Sequence, residues 1–378
     1  MTDTAWNGLE TRAAHQTVAP KSSDTRVVIS STLSSATAQL ADSTEAMLQF
    51  LRRSESVDLC EVNLSDAIAP VRSLLSRNNR AADTSGAFLV TVPSTTEARG
   101  AIGAIPASTL GLPVVAVHHS DTYLTSSSKH LRLFRRLCQP ALEVVPSARM
   151  AELAAQSGNP DRVLIVDNSV FLADDMIAKL GGFPAPQTGA SRPIILGFLG
   201  ALTIEDGALD VLEAFARLAD GGLAIELHIA GSMDDLEVSS TLLEITARHP
   251  HRVHHTEYPV DDVARCEWFN DIDIFVMPTR DLADAQPIVI YEAAAAGCAV
   301  LASDVGGIPQ QLEAIGGYLI SADDRLDSQI KRVMSMNAGI AGVRAGRERR
   351  VIRLQNHRQR NLASANAFLA LLKDPAHL

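Results

Sequence analysis

Short apolar runs alternate with longer amphipathic or polar segments along most of the chain. In the first half these runs are rich in valine, isoleucine and leucine, which is typical of strands buried on both faces. They lie at Arg26–Ser30, Val57–Leu64, Ala87–Val92, Val114–Val117, Leu142–Val145 and Val163–Val166. Because helical stretches separate them, including one that ends near Arg53, the pattern predicts βαβ units and a parallel sheet.

A second alternation of the same kind begins at Ile194. Its elements are predicted at Ile194–Gly200 (strand), Leu209–Leu218 (helix), Ala224–Ala230 (strand) and before Arg252 (helix). Residues 183–193, between the two alternations, are rich in proline, glycine and small residues and predict an interdomain linker. The chain is therefore expected to form two doubly wound α/β domains, 26–182 and 194–360, with a binding site between them at the carboxyl ends of the strands.

The stretch Asp271–Leu312 carries most of the functional signal. An apolar strand that ends at Pro278 is followed by a loop, and Pro287 stands where proline suits the start of a helix. The first amides and the dipole of that helix form an anion site suited to a phosphate. Glu292 lies one turn inside the helix, and its carboxylate suits the hydroxyls of a ribose or another sugar. An ordinary βα unit with a solvated glutamate is the alternative interpretation.

The same stretch resembles the nucleotide-sugar site of glycosyltransferase family 4, a retaining family with the GT-B fold. The family pattern is Glu, seven residues and Glu, then a small-residue helix, a glycine, a strand and a Gly-Gly-Ile-Pro turn. Here it stands as Asp284, seven residues and Glu292, a helix ending at Gly297, and a GGIP turn that begins at Gly306. The resemblance covers roughly Ile194–Ala322. It implies two Rossmann-like domains that face each other across a cleft.

The resemblance also implies an activity and a donor site. The activity is transfer of a hexose from a nucleoside diphosphate sugar to an acceptor, with retention of configuration and no required metal. In this scheme Glu292 holds the ribose, and the amides of Ile288 and Val289 hold the distal phosphate. Three glycines, Gly200, Gly306 and Gly307, line the nucleotide-sugar site.

Two residues are expected to face the donor sugar. His118, in VVAVHHSD, resembles the histidine of the family's His-Gly-Ser-Asp sequence, and a strand-end histidine suits hydrogen bonding to a sugar hydroxyl. A loop histidine without a role is the alternative. Asp284 takes the place of the first glutamate of the family pattern and is one methylene shorter.

Two segments depart from the family pattern. Ala201 and Asp206 stand where the family has an arginine and a lysine that stabilise the leaving diphosphate, and Arg280 is the nearest cation that could replace them. Serines, among them Ser30 and Ser31, replace the glycine pair that follows the first strand. These departures leave open a second hypothesis, a non-catalytic glycosyltransferase-like subunit that binds or regulates a partner. A nicotinamide-dependent enzyme is a weaker alternative, since no GxGxxG follows a strand.

Composition bounds the remaining classes. The 378 residues carry a net charge of −11, which argues against a nucleic-acid-binding protein. The four cysteines are far apart, as expected of reduced thiols without a zinc site. The first residues lack the apolar segment of a signal peptide, and no run approaches the length of a membrane span. A cytoplasmic protein is therefore expected, and its excess of arginine over lysine indicates a bacterial source.

Several further polar segments have predicted roles. Residues 1–25 predict a mobile tail, and residues 361–378 correspond to the family's C-terminal helix that crosses back to the first domain. Lys129–Leu137 predicts a basic amphipathic helix that could contact the inner membrane face, with a plain surface helix as the alternative. The seven arginines of Arg344–Arg360 predict a solvated helical face, with a partner or membrane contact as the alternative. The four histidines of His249–His255 are not predicted to bind metal. The sequence does not identify the donor sugar or the nucleotide base. It leaves open whether the acceptor is a sugar, a lipid-linked group or a small molecule.

Overall fold

The computed structural model describes residues 25–31, 38–54, 57–63, 86–92, 113–120, 122–125, 140–157, 160–181, 192–233, 235–259, 262–281 and 285–374. Several predicted features lie outside these ranges: the tail, the basic segment Lys129–Leu137, most of the linker, and the sugar-facing Asp284.

The first half forms a six-stranded parallel sheet in the order β2-β1-β3-β4-β5-β6. Its strands are β1 (Thr25–Ser31), β2 (Val57–Asn63), β3 (Gly86–Val92), β4 (Val114–His118), β5 (Leu142–Val145) and β6 (Val163–Ile165). The helices described in this half are α1 (Ala38–Arg53), α2 (Thr122–Thr125), α3 (Ala148–Ser157) and α4 (Asp174–Gly181). The six predicted strands all form, and their ends agree with the predictions to within one or two residues.

The second half forms another six-stranded parallel sheet, in the order β12-β11-β10-β7-β8-β9. Its strands are β7 (Ile194–Leu199), β8 (Ile225–Ala230), β9 (Val253–Thr256), β10 (Ile274–Met277), β11 (Ala299–Ser303) and β12 (Tyr318–Ile320). The strand order reverses between β7 and β10, so a crevice opens at their carboxyl ends. The predicted class, α/β with two doubly wound parallel sheets, is confirmed.

Helices cover both faces of the second sheet. They are α5 (Ala208–Asp220), α6 (Leu236–Arg248), α7 (Asp262–Asp271), α8 (Ile288–Ala295), α9 (Ile308–Ile315), α10 (Leu326–Met336), α11 (Ile340–Ala345) and α12 (Arg347–Lys373). One core joins the sheet to α5, α6 and α10, and the other joins it to α4, α7, α8 and α9. Every residue of α8 is buried, as expected of a helix that is apolar on all sides. Because α4 precedes the predicted linker but packs into the second core, the predicted domain boundary stays a prediction.

The last helix is longer than predicted. The last helix was expected at about Ser364–Leu372, after a helical face at Arg344–Arg360, but α12 runs without interruption from Arg347 to Lys373. Its first part packs against α8 and α9 of the second half. Near its end, Ala365, Phe368 and Leu372 are buried in the core of the first half. One helix therefore contributes to both halves of the molecule.

The arginine-rich segment before and within α12 is a solvated face only in part, which corrects the prediction for Arg344–Arg360. Arg349, Arg353 and Arg360 are exposed, but the other arginines are half-buried or buried. Arg350 is buried and its Nε donates to the carbonyl oxygen of Gly297 across 2.8 Å, just beyond the end of α8. Arg347 donates to the carbonyl oxygen of Asn270 near the end of α7. Arg344 pairs with the buried Asp273. The guanidinium groups of Arg347 and Arg350 therefore satisfy carbonyls that the ends of α7 and α8 leave without partners.

Candidate functional site

The carboxyl end of β4 lies against the loop that precedes α8. The backbone amide of Ala285 donates to the carbonyl oxygen of His119 at 3.4 Å. His118, His119 and Ser120 are all buried, with side chains at most 4% exposed. The structure therefore brings the predicted His118 and the start of α8 to the same place, although they belong to different halves of the chain.

His118 is close to an acidic side chain that was not singled out from the sequence. Its Nε2 lies 3.3 Å from Oε2 of Glu143, a buried residue on the neighbouring strand β5. The one available signal was an acidic residue inside the apolar strand LEVV. Burial, and next the charge of His118, lower the pKa of the adjacent His119 to about 4. His119 is therefore neutral near pH 7.

The amino terminus of α8 leaves backbone amides without intrahelical acceptors. Pro287 is its N-cap residue, and the amides of Ile288 and Val289 belong to the first turn, where helix geometry provides no intrahelical acceptor. The carbonyl oxygen of Pro287 accepts a hydrogen bond from Nε2 of Gln311 at 3.0 Å. This bond holds the start of α8 against α9.

Glu292, predicted to hold a ribose, forms a buried ion pair. Its Oε1 accepts a hydrogen bond from Nη1 of Arg265 on α7 at 3.0 Å, and the two side chains are 4% and 10% exposed. The Arg265 guanidinium lies 5.2 Å from the centre of the Tyr258 ring, and its Nε donates to the carbonyl oxygen of Pro259. Glu292 is thus a charged, oriented acceptor inside α8. No sequence spacing links Arg265 to it, so the pair was missed.

The Gly306-Gly307 turn lies beside the same loop. Gly306 has a positive φ of 55°, and the amide of Gly307 donates to the carbonyl oxygen of Ala285. A Cβ on Gly307 would stand 2.0 Å from that oxygen, so only glycine fits. Arg149, from the first half, donates from Nη1 to the carbonyl oxygen of Gly306 at 3.3 Å. Arg149 is a second cation at the site, and the sequence analysis did not find it.

In the segment Gly200–Gly207, the side chain of Asp206 points into the protein interior. Asp206 is 7% exposed and accepts a hydrogen bond from Oγ1 of Thr203 at 2.7 Å. Burial raises the pKa of Asp206 against the effect of this hydrogen bond, and the charges of Asp281 and Glu205 raise it further. The position where a lysine was expected is therefore part of a tight turn, closed by Gly207 at φ +81°.

Arg280 lies outside this turn, and its guanidinium group already has partners in the protein. Its Nη2 is 2.7 Å from Oδ2 of Asp210 on α5, and its Nη1 donates to the carbonyl oxygen of Ile204 at 2.8 Å. The side chain is 55% exposed and borders a cavity of about 910 Å³ at the carboxyl ends of β10, β11 and β12. Arg325 and Asp304 line the same cavity.

A buried network fixes the loop before α8 to the first half. Gln286 accepts from the amide of Asn168 at 2.7 Å and donates from Nε2 to Oδ2 of Asp167 at 2.8 Å. The same oxygen accepts from the hydroxyl of Tyr291 at 2.9 Å and lies 3.2 Å from Nε2 of His357. Burial opposes ionisation of Asp167, but His357 and a bond from the amide of Ser169 hold its pKa below the usual value. The network sets the position from which α8 begins.

Comparison with known proteins places this arrangement in a structural class. Residues 193–336 match the family model described as "Glycosyl transferases group 1". No curated protein sequence matches the chain. The fold is GT-B, as predicted. Among the residues that the structure describes, no helix has both the length and the apolar content needed to cross a bilayer.

Solved structures with this fold cover nearly the whole chain. Anabaena Alr3699/HepE in complex with UDP-glucose is 15% identical with a TM-score of 0.61, over 91% of this chain and 99% of that one. A trehalose-6-phosphate synthase is 11% identical with a TM-score of 0.61, over 92% and 98%. The sucrose-phosphate synthase of Thermosynechococcus elongatus is 13% identical with a TM-score of 0.59, over 92% and 100%.

Proposed function

We propose that the protein is a glycosyltransferase that moves a hexose from a nucleoside diphosphate sugar to an acceptor with retention of configuration, as in glycosyltransferase family 4. One observation carries the proposal. The start of α8, with the charged Glu292 inside it, faces the end of the strand that carries His118, and the Gly306-Gly307 turn closes the same space.

Each donor group has a matching partner in this scheme. The amides of Ile288 and Val289 hold the distal phosphate, since the positive end of a helix favours an anion. Glu292 accepts hydrogen bonds from the ribose hydroxyls, and the ion pair with Arg265 orients its carboxylate. Gly200 and the Gly306-Gly307 turn allow the backbone to approach the donor.

His118 would serve as the sugar-side group on the first half, with Asp284 facing the sugar from the second. An imidazole can donate or accept a hydrogen bond with a sugar hydroxyl, and the neighbouring Glu143 favours the tautomer that has its proton on Nε2. His118 is buried in this arrangement, so the donor would enter before the two halves approach each other this closely.

The leaving diphosphate needs a cation, and two are available. Arg280 is the candidate predicted from the sequence, although Asp210 already neutralises part of its charge. Arg149 is the candidate that the contact with Gly306 adds. Amides and guanidinium groups can supply the electrophilic assistance in this scheme without a metal ion.

The matches to glycosyltransferases support this proposal. The non-catalytic subunit stays the alternative, because Ala201 and the buried Asp206 occupy the positions where cations were expected. Anabaena Alr3699/HepE, which has a similar structure, forms complexes with UDP-glucose and with UDP, so a uridine nucleotide is the first donor to test. We propose a sugar, a lipid-linked group or a small molecule as the acceptor, and a cytoplasmic location that includes contact with the inner membrane face through Lys129–Leu137.

Hydrolysis of a panel of nucleotide sugars by the purified protein tests the proposal. The protein is expected to release a nucleoside diphosphate from at least one donor. A His118→Ala variant should lose this activity but still bind the nucleotide. Binding of a nucleotide without hydrolysis or transfer for any donor and acceptor would favour the non-catalytic subunit instead.

A further inference from the structure

Three potential metal ligands meet on the second sheet, away from the site described above. Glu226 and His228 lie two positions apart on β8, so their side chains project from the same face of the sheet. His254 is the register partner of His228 on the adjacent strand β9. A carboxylate and two imidazoles are thereby presented side by side. We propose that Glu226, His228 and His254 bind a divalent transition-metal ion.

The distances between the side chains fit a site that closes around an ion. One ligand atom from each residue lies within 4.8 Å of the other two. Nε2 of His254 is 3.6 Å from Oε2 of Glu226, and the two imidazole rings are 4.8 Å apart between centres. Zinc-to-ligand bonds are about 2.0–2.2 Å long, so small side-chain rotations would bring the three atoms onto one ion.

The cluster is open enough for an ion to enter. The side chains of His254 and Glu226 are 48% and 26% exposed, and β9 is the edge strand of the sheet. Glu226 contributes a negative charge to the cluster, which favours a cation. Asp271 and Arg192 are the other charged groups that act on His228.

The chemistry of the three ligands defines the class of metal. Imidazole nitrogens select zinc, nickel, copper or cobalt over calcium and magnesium, which prefer oxygen ligands. Three protein ligands leave coordination positions for water. The ion would tie the edge strand β9 to β8. Because Glu226 is the second residue of β8, far from its carboxyl end, this role is independent of the donor site.

The chain supplies a matched control for the test. His255 follows His254, but its side chain leaves the opposite face of β9, and its Nε2 lies 3.1 Å from the carbonyl oxygen of Gly231. His254→Ala removes a proposed ligand from an exposed position, whereas His255→Ala removes a neighbouring histidine that is not part of the cluster.

The experiment titrates Co²⁺ and Zn²⁺ separately into the full chain after chelation and dialysis. Absorption bands of bound Co²⁺ report coordination, and calorimetry gives the Zn²⁺ affinity and stoichiometry. The wild type and His255→Ala should each bind a single high-affinity equivalent. His254→Ala and Glu226→Gln should bind at least about tenfold more weakly, while circular dichroism shows that they remain folded.

Two outcomes would overturn the proposal. In one, the wild type binds neither ion at concentrations up to about a hundred micromolar. In the other, His254→Ala retains wild-type affinity, which would assign the binding to other histidines of the chain.

Discussion

Arg265 and Glu292 are joined by a hydrogen bond of 3.0 Å, and both side chains are almost fully buried. The pair links α7 to the inside of α8, so the carboxylate proposed to hold the ribose is also part of the protein interior. Removing it affects folding and binding at once, and a test of its role must separate the two effects.

Glu292→Gln should weaken binding of a nucleoside diphosphate by about tenfold or more, because a charge-assisted hydrogen bond to the ribose is lost. Calorimetry with UDP is the measurement. Glu313→Gln, on the exposed face of α9, is the matched control and should bind as the wild type does.

Glu292→Ala should also lower the free energy of unfolding by about 3–5 kcal/mol, since Arg265 would stay buried without a counter-ion. The double variant Arg265→Met with Glu292→Met replaces the pair by apolar side chains and should recover much of that stability without recovering binding. Full nucleotide affinity in the stable double variant would remove Glu292 from the donor site.

Arg149→Ala should reduce turnover by roughly 10²–10³, the scale for losing a group that stabilises charge in the transition state. The reason is that Arg149 reaches the Gly306 carbonyl from the opposite half of the molecule. Steady-state kinetics with a hydrolysed donor is the measurement, and Arg162→Ala, an exposed arginine of the same half, serves as the control.

Arg280→Ala tests the other cation by the same measurement. If Arg280 neutralises the diphosphate, its loss should produce the same roughly 10²–10³ decrease. If Arg149 does so alone, Arg280→Ala should change turnover only slightly, because the guanidinium is already paired with Asp210. Full activity in both single variants would leave neither arginine with the proposed role.

Asp206→Asn should stabilise the protein at neutral pH. The pKa of Asp206 in the folded protein is above its ordinary value of 3.8. In the pH window above 3.8 the folded protein therefore binds more protons than the unfolded chain. Stability therefore falls as pH rises through that window, and the loss persists above it. Asparagine carries no charge and can still accept the bond from Thr203. Urea denaturation should show a higher free energy of unfolding for the variant than for the wild type at pH 7, and this difference should vanish below pH 3.8.

Asp167→Asn should have the opposite pH dependence. The pKa of Asp167 is below its ordinary value of 3.8, so its stabilising effect is fully present above 3.8 and is lost as pH falls through the folded-state pKa. At pH 7 the variant should be less stable by about 1–3 kcal/mol, since buried donors lose a charged acceptor. Asp174→Asn, whose side chain is 86% exposed, is the control and should differ little from wild type.

Chelation should leave donor turnover unchanged. The electrophilic groups proposed for the reaction are amides and guanidinium groups, and the proposed metal cluster lies on β8 and β9 instead. Turnover measured before and after treatment with EDTA tests this. Activity that disappears with EDTA and returns with Mn²⁺ would contradict it.

Most strands were predictable because a strand buried on both faces is a short, continuous apolar run. Ile194–Leu199 and the apolar run Val114–Val117 are clear examples, and a proline precedes each of them. The start of α8 was also predictable, since Pro287 and the small-residue helix are local features. Helix length was less predictable: a helical face was expected at Arg344–Arg360 and a last helix at about Ser364–Leu372, but no local pattern shows that they form one helix from Arg347.

The partners of the site residues could not be read from the sequence. Glu292 and Arg265 are 27 positions apart, and Arg149 and Gly306 are 157 apart. Such pairs form because the strand order brings distant helix ends together, and no local pattern records that order. Arg347 and Arg350 were misinterpreted for the same reason, since their acceptors are carbonyls at the end of α7 and just beyond the end of α8.

The uninterrupted helix α12 has a consequence for the order of assembly during synthesis. Phe368 and Leu372 belong to the apolar core of the first half, together with Val115, Val117 and Val144. Amino-terminal domains generally fold first as they leave the ribosome. Here that core stays incomplete until residue 372 has emerged, so the second half has the opportunity to fold earlier, and a stalled or truncated nascent chain would expose the apolar surface that α12 covers.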